Sequence, residues 1–307
     1  MYNGVIIINK EKGFTSHDVV AKLRGILKQK KIGHTGTLDP DATGVLPVCL
    51  GHATKLCDML TDKEKTYEAV MLLGQATDTQ DTSGQVTQRS DIASMREEGK
   101  LSDEDILKAI MSFKGSYSQI PPMYSALKVG GKKLYELARE GIEVERKPRE
   151  VYIYDIEDIT IDFPRVRMTV SCSKGTYIRT LCHDIGLKLG TFACMEGLKR
   201  TKVSTFDISE AKTLDEVSEL VELGRIDEQI ILVEDIFANY KPVKTAPQFD
   251  KLIYNGNSLP MQAVSVEDEK IAGGELFRVY DSKGVFMGIF AYNEHEQMFK
   301  CEKMFFA

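Results

Sequence analysis

The period of the apolar positions changes several times along the chain, and each change predicts an element. Gly4-Val5-Ile6-Ile7-Ile8-Asn9 is a short unbroken apolar run, which reads as a strand buried on both faces. Thr15-Ser16-His17-Asp18 forms a capping box ahead of Val19, Val20, Leu23, Ile26 and Leu27, predicting a helix to about Leu27. Tyr67–Leu73 has strand character and stops at Gly74. Ser102 opens a helix to Phe113, with Ile106, Leu107, Ile110, Met111 and Phe113 along one side. Val151–Asp162 and Val166–Ser173 read as strands joined by a turn at Pro164, and Tyr177–Leu189 as a helix ended by Gly190. Thr213-Leu214-Asp215-Glu216 opens another helix by the same capping chemistry.

Two stretches break this order. Residues 119–150 begin Gln119-Ile120-Pro121-Pro122, contain Gly130-Gly131-Lys132-Lys133 and carry turns and charge without clear periodicity. Connections of that length are usually functional or mobile. A boundary falls near Asn239-Tyr240-Lys241-Pro242-Val243-Lys244, dividing residues 1–238 from 239–307. Beyond it, Phe277–Tyr280 and Gly284–Phe290 flank an Asp281-Ser282-Lys283 turn, a hairpin signal.

Composition narrows the class. At 307 residues and 42% hydrophobic content the chain is an ordinary globular length, and no apolar run approaches a membrane span. Six cysteines without a C-x-x-C pair read as free thiols of a reducing cytoplasm, not a disulfide frame or zinc site. His183-Asp184 is too little for a metal site, and no metal or cofactor is expected. The net charge of −6 is unevenly spread. Residues 165–202 hold eight Lys/Arg against two acids, and residues 128–149 seven against four. Residues 22–31 hold five and no acid, whereas residues 207–239 hold ten acids against two bases. An acidic chain with segregated basic blocks is compatible with a nucleic-acid face.

The run Gly33-His34-Thr35-Gly36-Thr37-Leu38-Asp39-Pro40-Asp41-Ala42-Thr43-Gly44 carries the candidate chemistry. Three glycines, a proline and two acids in twelve residues predict a shaped loop, and Pro40 pushes Asp39 toward an extended conformation. Asp39-x-Asp41-x-Thr43-Gly44 imitates the start of a calcium loop, but the twelfth position is Leu50 rather than a bidentate Glu. Gly44 is followed by Val45 and not by Gly-Lys-Ser/Thr, so the run is not a phosphate-cradling loop. Taken alone, an Asp-Pro pair is also consistent with a simple side-chain turn.

With Val45-Leu46-Pro47-Val48 appended, the run resembles the active-site motif of the bacterial TruB family of tRNA pseudouridine synthases. Lys65-Thr66-Tyr67-Glu68-Ala69 resembles the second family motif, and Gly175-Thr176-Tyr177-Ile178-Arg179-Thr180-Leu181 the third. The N-terminal motif D-K-P-x-G-x-T-S is matched by Asn9-Lys10-Glu11-Lys12-Gly13-Phe14-Thr15-Ser16, with Glu11 in place of the proline. The resemblance covers residues 1–235 well and 240–307 loosely.

It implies an α+β fold, with a mixed, largely antiparallel central sheet, flanking helices and a small β-rich, PUA-like C-terminal domain. It implies isomerisation of the T-loop uridine, position 55 of tRNA, to pseudouridine after the base is flipped out. Asp39 would be the catalytic carboxylate and Arg179 its ionic partner. Tyr67 would stack on the base or relay a proton, His34 would fill the vacated stack, and Tyr177 and Leu198 would line the pocket. Residues 119–150 would grip the T-arm, with Lys10, Lys128, Lys132, Lys133, Arg146 and Lys147 on RNA phosphates. The implied partner is tRNA without a guide RNA or a membrane, and the protein is expected to be a cytoplasmic monomer. The alternatives are an RNA-binding or RNA-folding protein without catalysis, and a guide-RNA-dependent relative.

Overall fold

A computed structural model of the chain describes residues 1–61, 63–265 and 271–305. Its first body is built on a nine-stranded sheet. Gly4–Lys10 lies at one edge, followed in space by Thr43–Leu50, Ala193–Val203, Lys65–Leu73, Arg165–Cys172, Arg149–Asp162 and Gly115–Gln119. Ile32–His34 pairs with Thr43–Leu50, and Phe206–Asp207 with Ala193–Val203. All pairs are antiparallel except Thr43–Leu50 against Ala193–Val203.

The periodic segments fold as their spacing predicts. Thr15 caps the helix Ser16–Ile26, Ser102 caps Asp103–Met111 and Thr213 caps Leu214–Glu222, each closing a reciprocal capping box. Gly190 ends Ile178–Leu189 in the left-handed conformation, which a residue with a Cβ rarely adopts. The apolar run Val5-Ile6-Ile7-Ile8 of the first strand splits its side chains between two cores. Ile6 and Ile8 pack with Val19, Leu23 and Val217 on one face, while Val5 and Ile7 face Val45, Phe206 and Phe237 on the other. The helices Asp103–Met111 and Ile178–Leu189 cover the centre of the sheet through Ile106, Ile110, Leu181 and Ile185.

Three features differ from the sequence reading. The glycine-rich run is not loop throughout: Gly33 and His34 end one strand and Thr43 and Gly44 start another, leaving residues 35–42 as the loop. Gly44 belongs in that strand because a Cβ there would meet the Arg200 carbonyl oxygen at 2.1 Å. The eleven-residue strand Ala193–Val203 has no clean alternation, because its pairing with Lys65–Leu73 shifts register twice. Residues 119–150 carry short structure of their own, a Lys128–Val129/Lys132–Lys133 hairpin and the helix Leu134–Arg139.

The C-terminal body is a six-stranded sheet in the order Leu259–Pro260, Met298–Met304, Phe286–Asn293, Leu276–Tyr280, Lys241–Thr245 and Val264–Ser265. It has its own core around Phe277, Phe290 and Phe299. The expected boundary is a packed junction. Phe237 stacks on Tyr240, Phe305 stacks on Phe286, and Arg278 Nε donates to the Tyr240 carbonyl at 2.9 Å.

Candidate active site

The loop 35–42 is pinned from below by groups that are themselves buried. Leu38 and Ala42 insert into the sheet–helix core. The Leu38 amide donates to Ser16 Oγ at 2.9 Å, and the Gly13 amide to the Pro40 carbonyl at 2.9 Å. Lys10, whose side chain has no accessible surface, donates from Nζ to the carbonyls of Glu11, Phe14 and Pro40 at 3.0, 2.6 and 3.0 Å. An ammonium has three protons, and three carbonyls receive them. Arg200, 1% exposed, donates from Nε to the Val45 carbonyl at 2.7 Å and from Nη2 to the Gly36 carbonyl at 3.3 Å. Asp39 thus stands on a backbone held at both ends of the loop.

Its carboxylate remains partly open, with 38% of the side chain accessible. Arg179, on the first turn of Ile178–Leu189, reaches Asp39 Oδ1 with Nη2 at 3.4 Å. The same nitrogen donates to the Tyr124 carbonyl at 2.7 Å, and Nη1 lies 3.6 Å from Asp81 Oδ2. Crowding by protein pushes the Asp39 pKa up, opposed first by Arg179 and reinforced by Asp81. Burial pulls Lys10 down to about 8, against the raising influence of Asp39 and Asp41. Gln119 fixes the start of the Arg179 helix from the far side: its Oε1 accepts from the Tyr177 amide at 2.8 Å, and its Nε2 donates to the Tyr177 carbonyl at 3.0 Å.

Tyr67 is buried beneath the loop, with a pKa raised by burial and eased by Arg200. His34 accepts from the Gly36 amide through Nδ1 at 3.3 Å, which in the neutral ring leaves the proton on Nε2, and its ring meets His17 edge-on at 5.3 Å. Burial lowers the His34 pKa, helped by His17 and Arg200. The Tyr177 ring lies 6.0 Å from the Arg179 guanidinium carbon, and Leu198 is half-buried against the central core. The structure therefore brings Asp39, Arg179, Tyr67, His34 and Tyr177 to one region.

Lys10 corrects the sequence reading: its ammonium is saturated by carbonyls inside the fold, so it anchors the Asp39 loop and is not available to a phosphate. Lys128, Lys132 and Lys147 are exposed as expected, whereas Lys133 is half-buried beside the Tyr135 hydroxyl and Arg146 donates to the Pro121 carbonyl. Two groups escaped the sequence reading. Asp81 sits in the turn Thr79-Gln80-Asp81-Thr82-Ser83-Gly84, a polar, glycine-ended signature like that of Asp39 itself. Arg200 was legible only as one cation in a basic block. Among the described residues no group of three or more His, Cys, Asp or Glu is placed to hold a metal ion.

The chain that carries this aspartate, arginine and tyrosine is similar to known proteins. Residues 24–178 match the family model "TruB family pseudouridylate synthase (N terminal domain)". Residues 179–241 match "tRNA pseudouridylate synthase B C-terminal domain". The chain belongs to the TruB family. The tRNA pseudouridine synthase B of Lachnoclostridium phytofermentans is 48% identical over 99% of both chains. That of Clostridium acetobutylicum is 44% identical over 98% of this chain and 99% of the relative. Among solved structures, a Cbf5-Nop10-Gar1 complex is similar, with a TM-score of 0.71 and 27% identity over 99% of this chain and 85% of that one. So is an H/ACA RNP bound to a substrate RNA containing 2'-deoxyuridine, with a TM-score of 0.71 and 25% identity over 99% and 85%. No helix among the described residues is long and apolar enough to cross a membrane.

Proposed function

We propose that this protein isomerises the T-loop uridine of tRNA to pseudouridine, with Asp39 as the catalytic carboxylate. The supporting observation is the Asp39 loop itself, in a chain whose relatives over nearly their full length are tRNA pseudouridine synthases. The loop is staked by Lys10, Ser16 and Arg200, and its partly open carboxylate stands 3.4 Å from Arg179. The reaction is neutral overall: the N1–C1′ bond breaks, a C5–C1′ bond forms, one proton leaves C5 and one is gained at N1. The chemistry needs no redox partner. As the glycosidic bond opens, positive charge builds on the sugar, and a fixed carboxylate beside it stabilises or attacks that centre.

Each neighbour has a separable task. Arg179 keeps Asp39 ionised against the crowding that raises its pKa, and Asp81 shares that guanidinium. Tyr67 lies beneath the base, and His34 occupies the stack that the flipped base leaves. Exposed cations of residues 119–150 hold the T-arm backbone, and no guide RNA takes part. The test is to incubate the purified protein with an unmodified tRNA transcript and map pseudouridine along it. A single new pseudouridine in the T-loop is expected, and an unmodified T-loop would overturn the reading. Binding of T-arm RNA with no isomerisation would instead favour the RNA-folding alternative.

A further inference from the structure

Arg200 is among the largest fully buried side chains of the protein, yet no carboxylate lies within ion-pair distance of it among the described residues. A buried cation without an anion is costly, so its retention calls for a reason beyond packing. Its backbone sits where three strands meet, opposite Tyr67 on one side and Gly44 on the other. Its guanidinium donates to the carbonyls of Gly36 and Val45, one at either end of the Asp39 loop, and its charge draws the Tyr67 phenol pKa down against burial. Gly44 is shaped around it: a Cβ there would strike the Arg200 backbone.

We infer that Arg200 is a positioning residue for the isomerisation, fixing the Asp39 loop through its two carbonyl contacts and setting the polarity of the Tyr67 hydroxyl across the strand pair. The inference rests on the reading of Asp39 and Tyr67 given above. Tyr67 and Arg200 are directly opposed in the antiparallel pair, which puts both side chains on the same face of the sheet, so the guanidinium charge acts on the phenol. It stabilises negative charge on the phenol oxygen in a site closed to water. The other titratable groups facing the phenol are Cys172, kept neutral by burial, and Asp39, whose charge works in the opposite sense. With no carboxylate within ion-pair distance among the described residues, the charge of Arg200 acts on Tyr67, and also on Lys10 and His34, lowering the pKa of each.

The experiment combines Arg200→Gln, Arg200→Lys and Tyr67→Phe with single-turnover assays on T-arm RNA. A 13C NMR titration of tyrosine-labelled protein accompanies them, with the Tyr67 resonance assigned by its loss in Tyr67→Phe. Arg200→Gln should slow the reaction about 100-fold while RNA affinity changes less than about threefold. It should also raise the Tyr67 midpoint by about one pH unit or more. Arg200→Lys, which keeps the charge, should hold the midpoint near that of the parent and restore part of the rate. In the Tyr67→Phe background the Arg200→Gln effect should shrink to about tenfold or less, the part owed to the loop. An unmoved Tyr67 midpoint, or an equal slowing in both backgrounds, would overturn the inference. Should Arg200→Gln fail to fold, Arg200→Lys decides through the same cycle: equal slowing with Tyr and with Phe at position 67 overturns the inference, and smaller slowing with Phe supports it. An inactive parent protein would count against the proposed function, while the titration would still report the Arg200–Tyr67 link.

Discussion

The cradle under Asp39 and the excursion 119–150 both use lysine and arginine, and they use them in opposite ways. In the cradle, Lys10, Arg179 and Arg200 are buried, and backbone carbonyls receive their protons. In the excursion, Lys128, Lys132 and Lys147 stand in solvent, and Lys132 meets Glu140 at 3.2 Å across an exposed surface. A buried cation is held by several fixed partners and so fixes them in turn. An exposed one is loosely held, surrounded by counterions, and free to exchange them for phosphates. Buried positive charge in this protein is therefore committed to holding the fold, whereas exposed positive charge is left free to meet an external anion.

The largest effect expected is on Asp39. Asp39→Asn should lower pseudouridine formation by about a thousandfold or more in single-turnover assays, with T-arm RNA affinity within about threefold. Its stability should move the other way. A carboxyl whose pKa is raised by folding weakens the fold at neutral pH, and that penalty is relieved as pH falls through the raised value toward the unfolded one. The Asn variant should therefore unfold at the same temperature as the parent or higher at pH 7, with any advantage shrinking on acidification.

Next comes Lys10→Met, which removes the ammonium donor from the carbonyls of Glu11, Phe14 and Pro40, the last of which has the Gly13 amide besides. It should cost about 3 kcal/mol in urea unfolding. The matching change in the excursion, Lys132→Met, should cost less than about 0.5 kcal/mol. Equal costs would erase the distinction between the two regions.

The pH dependence sharpens it further. Lys10 releases its proton near pH 8 in the folded protein and near 10.5 when unfolded, so between those values the unfolded chain binds more protons. The stability of the parent relative to Lys10→Met should therefore rise with pH across that window. A neutral amine has only two protons for three carbonyls, so the loop should loosen and single-turnover rates should fall over the same range. Parallel changes in stability and rate would show that Lys10 is not the loop anchor.

The smallest effect separates binding from positioning. Reversing Lys132 and Lys147 to Glu should weaken RNA binding about tenfold and flatten its dependence on salt, with the unfolding temperature unchanged. Reversing Asp215 and Glu219, in the acidic block, should change neither. Equal losses from both pairs would mean that the RNA face lies elsewhere.

Local sequence carried much of this molecule. Capping boxes at Thr15, Ser102 and Thr213 and the stop at Gly190 specify helices because their hydrogen bonds close within one turn. The Asp39 run, too, was legible through its composition and its family likeness, because a constrained loop needs unusual residues wherever it occurs. What escaped was long-range. Lys10 and Lys132 look alike along the chain, and only the sheet decides that one faces carbonyls and the other water. Arg200 is one basic residue in a basic strand until Tyr67, Gly36 and Val45 close around it, over 100 residues away in sequence. Asp81 and Arg179 meet only because the turn that carries Asp81, bridged to Met195, and the helix that carries Arg179 pack on the same sheet. Residue type and short-range spacing determine which elements form. The identity of a charge's partners is set by pairing between distant segments, and with it whether that charge is held inside the fold or left to solvent.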